Sequence, residues 1–146
     1  MLMLLFPFTT VIGFRKPDNS INIVSWAAQA IQENHHVDRI LPMAIISYHT
    51  EEEKLGILFD VVSVLDDENA IKVLLWTQLY FPKSDVYVLL ANLLSNCNQL
   101  SEACGVLKEG MEETPYNASI YFSLESVRKT WQCLRSIQYA QENQQF

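Results

Sequence analysis

Three pairs of residues recur at a single interval. Ala70 and Ala103, Leu74 and Leu107, and Pro82 and Pro115 each stand 33 residues apart. In both copies the alanine precedes the proline by twelve positions. A fixed period of about 20–50 residues marks an array of small units, each burying its apolar face against its neighbour. Within the period the spacing is helical, because from Ser20 onward apolar residues recur at 3.6 rather than 2. No segment after the first fourteen residues alternates as a strand would, so the expected class is all-α.

The boundaries follow from capping chemistry. Ile23, Ala27, Ala30 and Ile31 share one face of a first helix that fades at Glu33-Asn34-His35-His36. A second apolar run, Val37 to Tyr48, contains Pro42. With Asp38 as its cap, that proline falls in or just past the first turn, where a missing N–H costs little. Thr50 followed by Glu53 has the form of a capping box, and opens a helix to about Leu65. Asp66-Asp67-Glu68 forms the next turn, and Asn69 to Tyr80 is a helix stopped by Pro82. Ser84-Asp85 starts another, ending near Asn96-Cys97-Asn98. Ser101-Glu102 opens a helix to about Glu112, and Asn117-Ala118-Ser119 leads into a last long one toward Ala140.

The combination resembles the tetratricopeptide repeat, a 34-residue helix–turn–helix unit. In the best copy, Ser84 to Asn117, Tyr87 stands at the large aromatic position and Leu90-Ala91 at the leucine–glycine pair. Leu94, Ala103, Leu107, Gly110 and Pro115 take the remaining signature positions. The copy at Glu51 to Ser84 keeps Ala70, Leu74 and Pro82 but has Lys54 at the aromatic position. The third copy, from Ala118, keeps Tyr121 and Leu124, then places Glu125 and Arg128 where apolar residues belong. It reads as a capping helix, since the end of a stack needs a polar outer face. The expected architecture is a tetratricopeptide-like stack of about three helical hairpins over residues 20–140. Residues 1–19 form a separate apolar segment and residues 141–146 a short tail.

Repeats of this kind curve, and the first helix of each pair lines the concave side. The pattern puts Leu55, Phe59 and Val62 on that wall in the first copy. It adds Asp85, Val88, Asn92 and Asn96 in the second, and Phe122 and Ser126 in the last. The expected wall is mostly apolar with a few amides, which suits an amphipathic helix. A peptide carboxylate would need charge-assisted donors that only Asn92 and Asn96 approach. The alternative is that Leu55, Phe59 and Val62 pack on the chain's own N-terminal segment. The chosen partner-binding residues are Leu55, Phe59, Val62, Val88, Asn92 and Phe122.

Composition excludes more than it selects. A chain of 146 residues, 49% apolar and with only four glycines, can bury one real core. Seventeen Asp+Glu against ten Lys+Arg leave a net charge of −7, which argues against a phosphate-backbone ligand. Cys97, Cys104 and Cys133 are odd in number and form no CxxC pair, so a reducing compartment and ordinary packing are expected. His35, His36 and His49 lack the i, i+4 spacing of a helical zinc site. No nucleophile–base arrangement or phosphate-cradling glycine loop is present, so neither an enzyme nor a cofactor is expected. The acidic runs Glu51–Glu53, Asp66–Glu68 and Glu112-Glu113 read as helix starts and turns, or as docking points for a basic partner. Asn117-Ala118-Ser119 is a glycosylation sequon, read here as a helix lead-in. Met1 to Phe14 is nearly all apolar but short of the roughly 20 residues of a spanning helix. Arg15-Lys16 follows the apolar run, whereas a secretory signal carries its positive charge in front. A segment docked on the body is expected there, with a membrane-touching segment or a non-native start as alternatives.

The helix order and turn placement also resemble one group of repeat-built proteins, the G-type cochaperones of the type III secretion needle subunit. The likeness runs from about Ser20 to Trp131. It is carried by His35-His36-Val37-Asp38, Glu51-Glu52-Glu53-Lys54, Asp67-Glu68-Asn69-Ala70 and Val127-Arg128-Lys129. The resemblance implies a small acidic cytoplasmic chaperone that holds the C-terminal helix of a needle-type client in its concave groove. A small helical cochaperone is its implied second partner. The alternative expectation is a structural scaffold subunit of a larger assembly.

Overall fold

A computed structural model describes residues 20–115 and 117–143. Among them are seven α-helices and no strand, so the chain is all-α. In chain order they are α1 (Ser20–Gln32), α2 (Val37–Ile45), α3 (Glu51–Ser63), α4 (Asp67–Tyr80), α5 (Ser84–Asn96), α6 (Leu100–Glu113) and α7 (Ala118–Asn143). The chain divides into two compact units, residues 1–76 and 77–146, with the boundary inside α4. The apolar segment 1–19 lies outside the described residues, and so do the expectations made for it. Helix α7 continues to Asn143, into the stretch read as a tail.

In the first unit, α1, α2 and α3 pack on one another. The face read from the spacing, Ile23, Ala27, Ala30 and Ile31, is buried throughout, joined by Trp26 and Ala28. Helix α1 closes on Asn34, whose φ of 71° is left-handed. The His35 amide donates to the Ala30 carbonyl at 3.1 Å and the Asn34 amide to Ile31 at 3.0 Å, a Schellman closure. Helix α2 departs from expectation. Its N-cap is His36, which makes no side-chain capping bond, and Asp38 sits inside the first turn. Pro42 therefore lies two residues deeper, within the helix, where it removes a bond to Asp38. The buried row Ile40, Leu41, Ala44 and Ile45 holds this short helix in place despite that loss.

The Thr50 capping box forms as the sequence implies. The Glu53 amide donates to Thr50 Oγ1 at 3.1 Å, and the Thr50 amide donates to Glu53 Oε1 at 3.3 Å. Helix α3 then buries Ile57, Leu58, Val61 and Val62. Asp66 Oδ1 accepts the Asn69 amide at 3.0 Å, so the acidic turn caps α4. Pro82 follows the end of α4 closely, as expected.

In the second unit α5 and α6 form a hairpin, and α7 packs on both. The turn between α5 and α6 repeats the Schellman closure. Asn98 has φ 62°, the Gln99 amide donates to Leu94 at 2.8 Å, and the Asn98 amide to Ser95 at 3.0 Å. Helix α6 begins at Leu100, one residue before the expected serine. Asn117 Oδ1 accepts the Ser119 and Ile120 amides at 3.0 and 3.3 Å, so the sequon asparagine caps α7.

Burial follows the 33-residue interval. Ala70 and Ala103, Leu74 and Leu107, and Thr77 and Gly110 are all buried. The third copy keeps the same interval rather than 34. Ile120, Leu124 and Val127 are buried where Tyr87, Ala91 and Leu94 stand in the copy before. Tyr121, expected at the aromatic position, is 45% exposed. Its hydroxyl donates to the Pro115 carbonyl at 2.9 Å. Glu125 and Arg128 accordingly lie on the polar outer face.

Gly110 explains how the three helices approach so closely. A Cβ there would stand 2.9 Å from Tyr87 Cγ and 3.0 Å from Ile120 Cδ1. Only a residue without a side chain fits between the α5 aromatic and the α7 isoleucine.

Candidate functional site

The second unit carries an open cleft of about 470 Å³ between α5 and α7. Asn92, Ser95 and Asn96 form one wall, and Phe122, Ser123, Ser126, Val127 and Thr130 the other. The wall exists because the inward residues of both helices, Tyr87, Ala91 and Leu94 on α5 and Ile120, Leu124 and Val127 on α7, face the core. Residues about a quarter-turn away, with Val127 at the edge of the core, line the cleft between the two helices.

Asn92 and Phe122, both chosen from the sequence, are brought together here, as are Asn96 and Ser126 from the same expected wall. Val88 is half-buried on α5 and does not line the cleft. Leu55 and Phe59 are half-buried on α3 in the first unit. Val62 beside them is 7% exposed, so it belongs to that unit's core rather than to an open surface.

The chemistry of the lining differs from the mostly apolar wall expected. Six of the eight lining residues bear amide or hydroxyl groups, and none is charged. Phe122, 79% exposed, is the large apolar group at the opening. Ser95, Ser123 and Thr130 were not singled out, because small hydroxyl residues carry no periodic signal. The Ser95 hydroxyl is buried and has no hydrogen-bond partner. An orphan of this kind costs about 1–3 kcal/mol.

Such a cleft offers neutral donors and acceptors only. Carboxylate or phosphate ligands draw most of their affinity from charge-assisted bonds, which no residue here supplies. Amide and hydroxyl groups beside one exposed ring match a peptide segment, with its own amides and an apolar side chain. No group of three or more His, Cys, Asp or Glu among the described residues could hold a metal ion. Of the cysteines, Cys104 is buried and Cys97 half-buried, as packing residues would be. Cys133 is exposed, against expectation, because it lies on α7 beyond the packed turns. Among the described residues no helix is long and apolar enough to cross a membrane.

No protein-family model, no curated protein and no solved structure matches this chain.

Proposed function

We propose that this chain is a non-enzymatic protein–protein interaction module whose α5/α7 cleft takes a peptide segment of a partner. The observation that carries the reading is the gathering of Asn92, Asn96, Ser123, Ser126 and Thr130 around the exposed ring of Phe122. In this reading Phe122 covers an apolar side chain of the segment, and Asn92 and Asn96 bond its polar groups. Burial of the ring contributes at roughly 25 cal/mol per Å² before ordering costs are subtracted.

The specific form is a cytoplasmic type III secretion chaperone holding an amphipathic helix of a needle-type client, a form supported by the resemblance in helix order and turns. The polar lining narrows that client. Its docked helix must present amide or hydroxyl groups beside its apolar stripe, or the cleft's own polar groups would lose water without replacement. A scaffold subunit is the second reading, favoured by the exposed Leu79 and Tyr80 at the end of α4.

Co-expression with needle-type subunits, followed by light scattering, tests the proposal. A discrete heteromer that is lost in Phe122→Asp and weakened at least tenfold in Asn92→Ala/Asn96→Ala supports it. A heteromer indifferent to all three substitutions would remove the cleft from the interaction. A monomer that ignores every such subunit would leave the scaffold reading ahead.

A further inference from the structure

Helix α7 is 26 residues long, against 13 and 14 for α5 and α6. At 1.5 Å per residue it runs roughly 39 Å, about twice the length of the hairpin it covers. The last buried position described on it is Val127, and Arg128 to Ser136 are exposed but for the half-buried Trp131. The apolar seam does not end there. Leu124, Val127, Trp131 and Leu134 alternate at steps of three and four, the a and d positions of one heptad pattern. The first two are buried in the unit, Trp131 is half-buried, and Leu134 is 47% exposed. A seam that begins in the core thus continues past it onto open surface.

This stretch carries a local excess of positive charge. Residues 126–141 hold Arg128, Lys129 and Arg135 and no carboxylate, in a protein whose net charge is −7. Arg128 and Arg135 are seven residues apart, both exposed, and both occupy the e position beside the seam. Residues at that position face the flank of a partner helix and select it by charge.

We infer that the distal half of α7 is a second docking surface, for an amphipathic helix of a partner protein that carries carboxylates beside its apolar stripe. Trp131 and Leu134 receive the stripe, and Arg128 and Arg135 pair with the carboxylates. This surface is separate from the α5/α7 cleft and does not depend on the function proposed for it.

The test uses the full chain and two synthetic three-heptad peptides with leucine at a and d. One carries glutamate at e and g, where like-charge repulsion opposes self-pairing, and the other lysine. Fluorescence anisotropy should show binding of the glutamate peptide, weakened by salt, and none of the lysine peptide. Leu134→Asp, at an exposed site that leaves the helical circular dichroism unchanged, should weaken binding at least tenfold. Arg128→Glu/Arg135→Glu should reverse the preference between peptides. Asn92→Ala/Asn96→Ala should leave both results intact, which separates this surface from the cleft. Equal binding of both peptides, binding of neither, or indifference to Leu134→Asp overturns the inference. So does a concentration-dependent dimer abolished by Leu134→Asp, which makes a second copy the occupant. Binding to phosphatidylserine–phosphatidylcholine vesicles without binding to the glutamate peptide also overturns it, in favour of a lipid surface.

Discussion

Gly110 cannot take a side chain without displacement, since Tyr87 and Ile120 occupy the space a methyl group would need. Gly110→Ala improves local helix propensity by up to about 1 kcal/mol. Overpacking costs about 1–3 kcal/mol, so the net effect should be destabilising, read as a lower urea midpoint with an unchanged slope. Gly56, in α3, has nothing within 4 Å of its virtual Cβ. Gly56→Ala should therefore stabilise by about 0.5–1 kcal/mol in the same assay, and a loss there would contradict the open space around it. Tyr87 also gives a pH signature. Burial, and then the carboxylates of Glu109 and Glu113, hold its hydroxyl above the ordinary value of 10.0. The folded state thus favours the neutral phenol more than the unfolded chain does. Its contribution is complete below pH 10 and is lost as pH rises through the raised value. Alkaline unfolding should show a drop in stability above pH 10 that is smaller in Tyr87→Phe. Equal drops in the two proteins would remove Tyr87 as the cause. Residues such as Tyr87 and Gly110 were legible because size and spacing mark them. Ser95, Ser123 and Thr130 were not, because a hydroxyl's role depends on which helix ends up opposite.

At the scale of elements, local chemistry accounts for most boundaries. The capping box at Thr50, the Asp66 and Asn117 caps and the proline after α4 all involve residues within a few positions of one another. Thr50→Ala should cost about 1 kcal/mol by removing the acceptor for the Glu53 amide. Asn34 and Asn98 both adopt a left-handed conformation that glycine enters without a Cβ penalty. Asn98→Gly should then be neutral to stabilising by a few tenths of a kcal/mol, whereas Asn98→Ala should cost about 1 kcal/mol. Thermal unfolding monitored by circular dichroism separates these outcomes, and a reversed order would contradict the Schellman closure. Helix α2 shows where local reasoning stops. Asp38 is a good cap by chemistry, yet the helix is capped two residues earlier, at His36, and accepts an internal proline. Four apolar residues of that helix are buried against its neighbours, and their burial outweighs both a missing cap and a lost hydrogen bond.

Across the whole molecule, stability should be uneven. Fully buried positions occur on every helix, and in the second unit Val86, Leu90, Ala103, Leu107 and Ile120 lie on α5, α6 and the first turn of α7. On α7 the last buried position described is Val127, and Arg128 to Arg135 are exposed but for the half-buried Trp131. Native-state hydrogen exchange should find the amides of α7 after Arg128 exchanging well before those of α5 and α6. Protection of the distal α7 equal to that of α5 would show that something already covers it.

The all-α class, the helix order, the 33-residue interval and the buried face of α1 were determined by the sequence alone. Each depends on periodicity or on caps a few residues apart, and such interactions form between neighbours along the chain. The cleft was only half contained there: Asn92, Asn96, Phe122 and Ser126 could be assigned to a binding face, but not the mostly polar lining they share with Ser95, Ser123 and Thr130. Tertiary structure decided that lining, the withdrawal of Val62 into the core, and the register that buries Ile120 and exposes Tyr121. A one-residue shift turns a helix face by about 100°, so register is settled by the packing of α7 around Gly110 and Tyr87. It was also tertiary structure that left Leu134 outside the core, because the seam on α7 outlasts the hairpin that buries its first half.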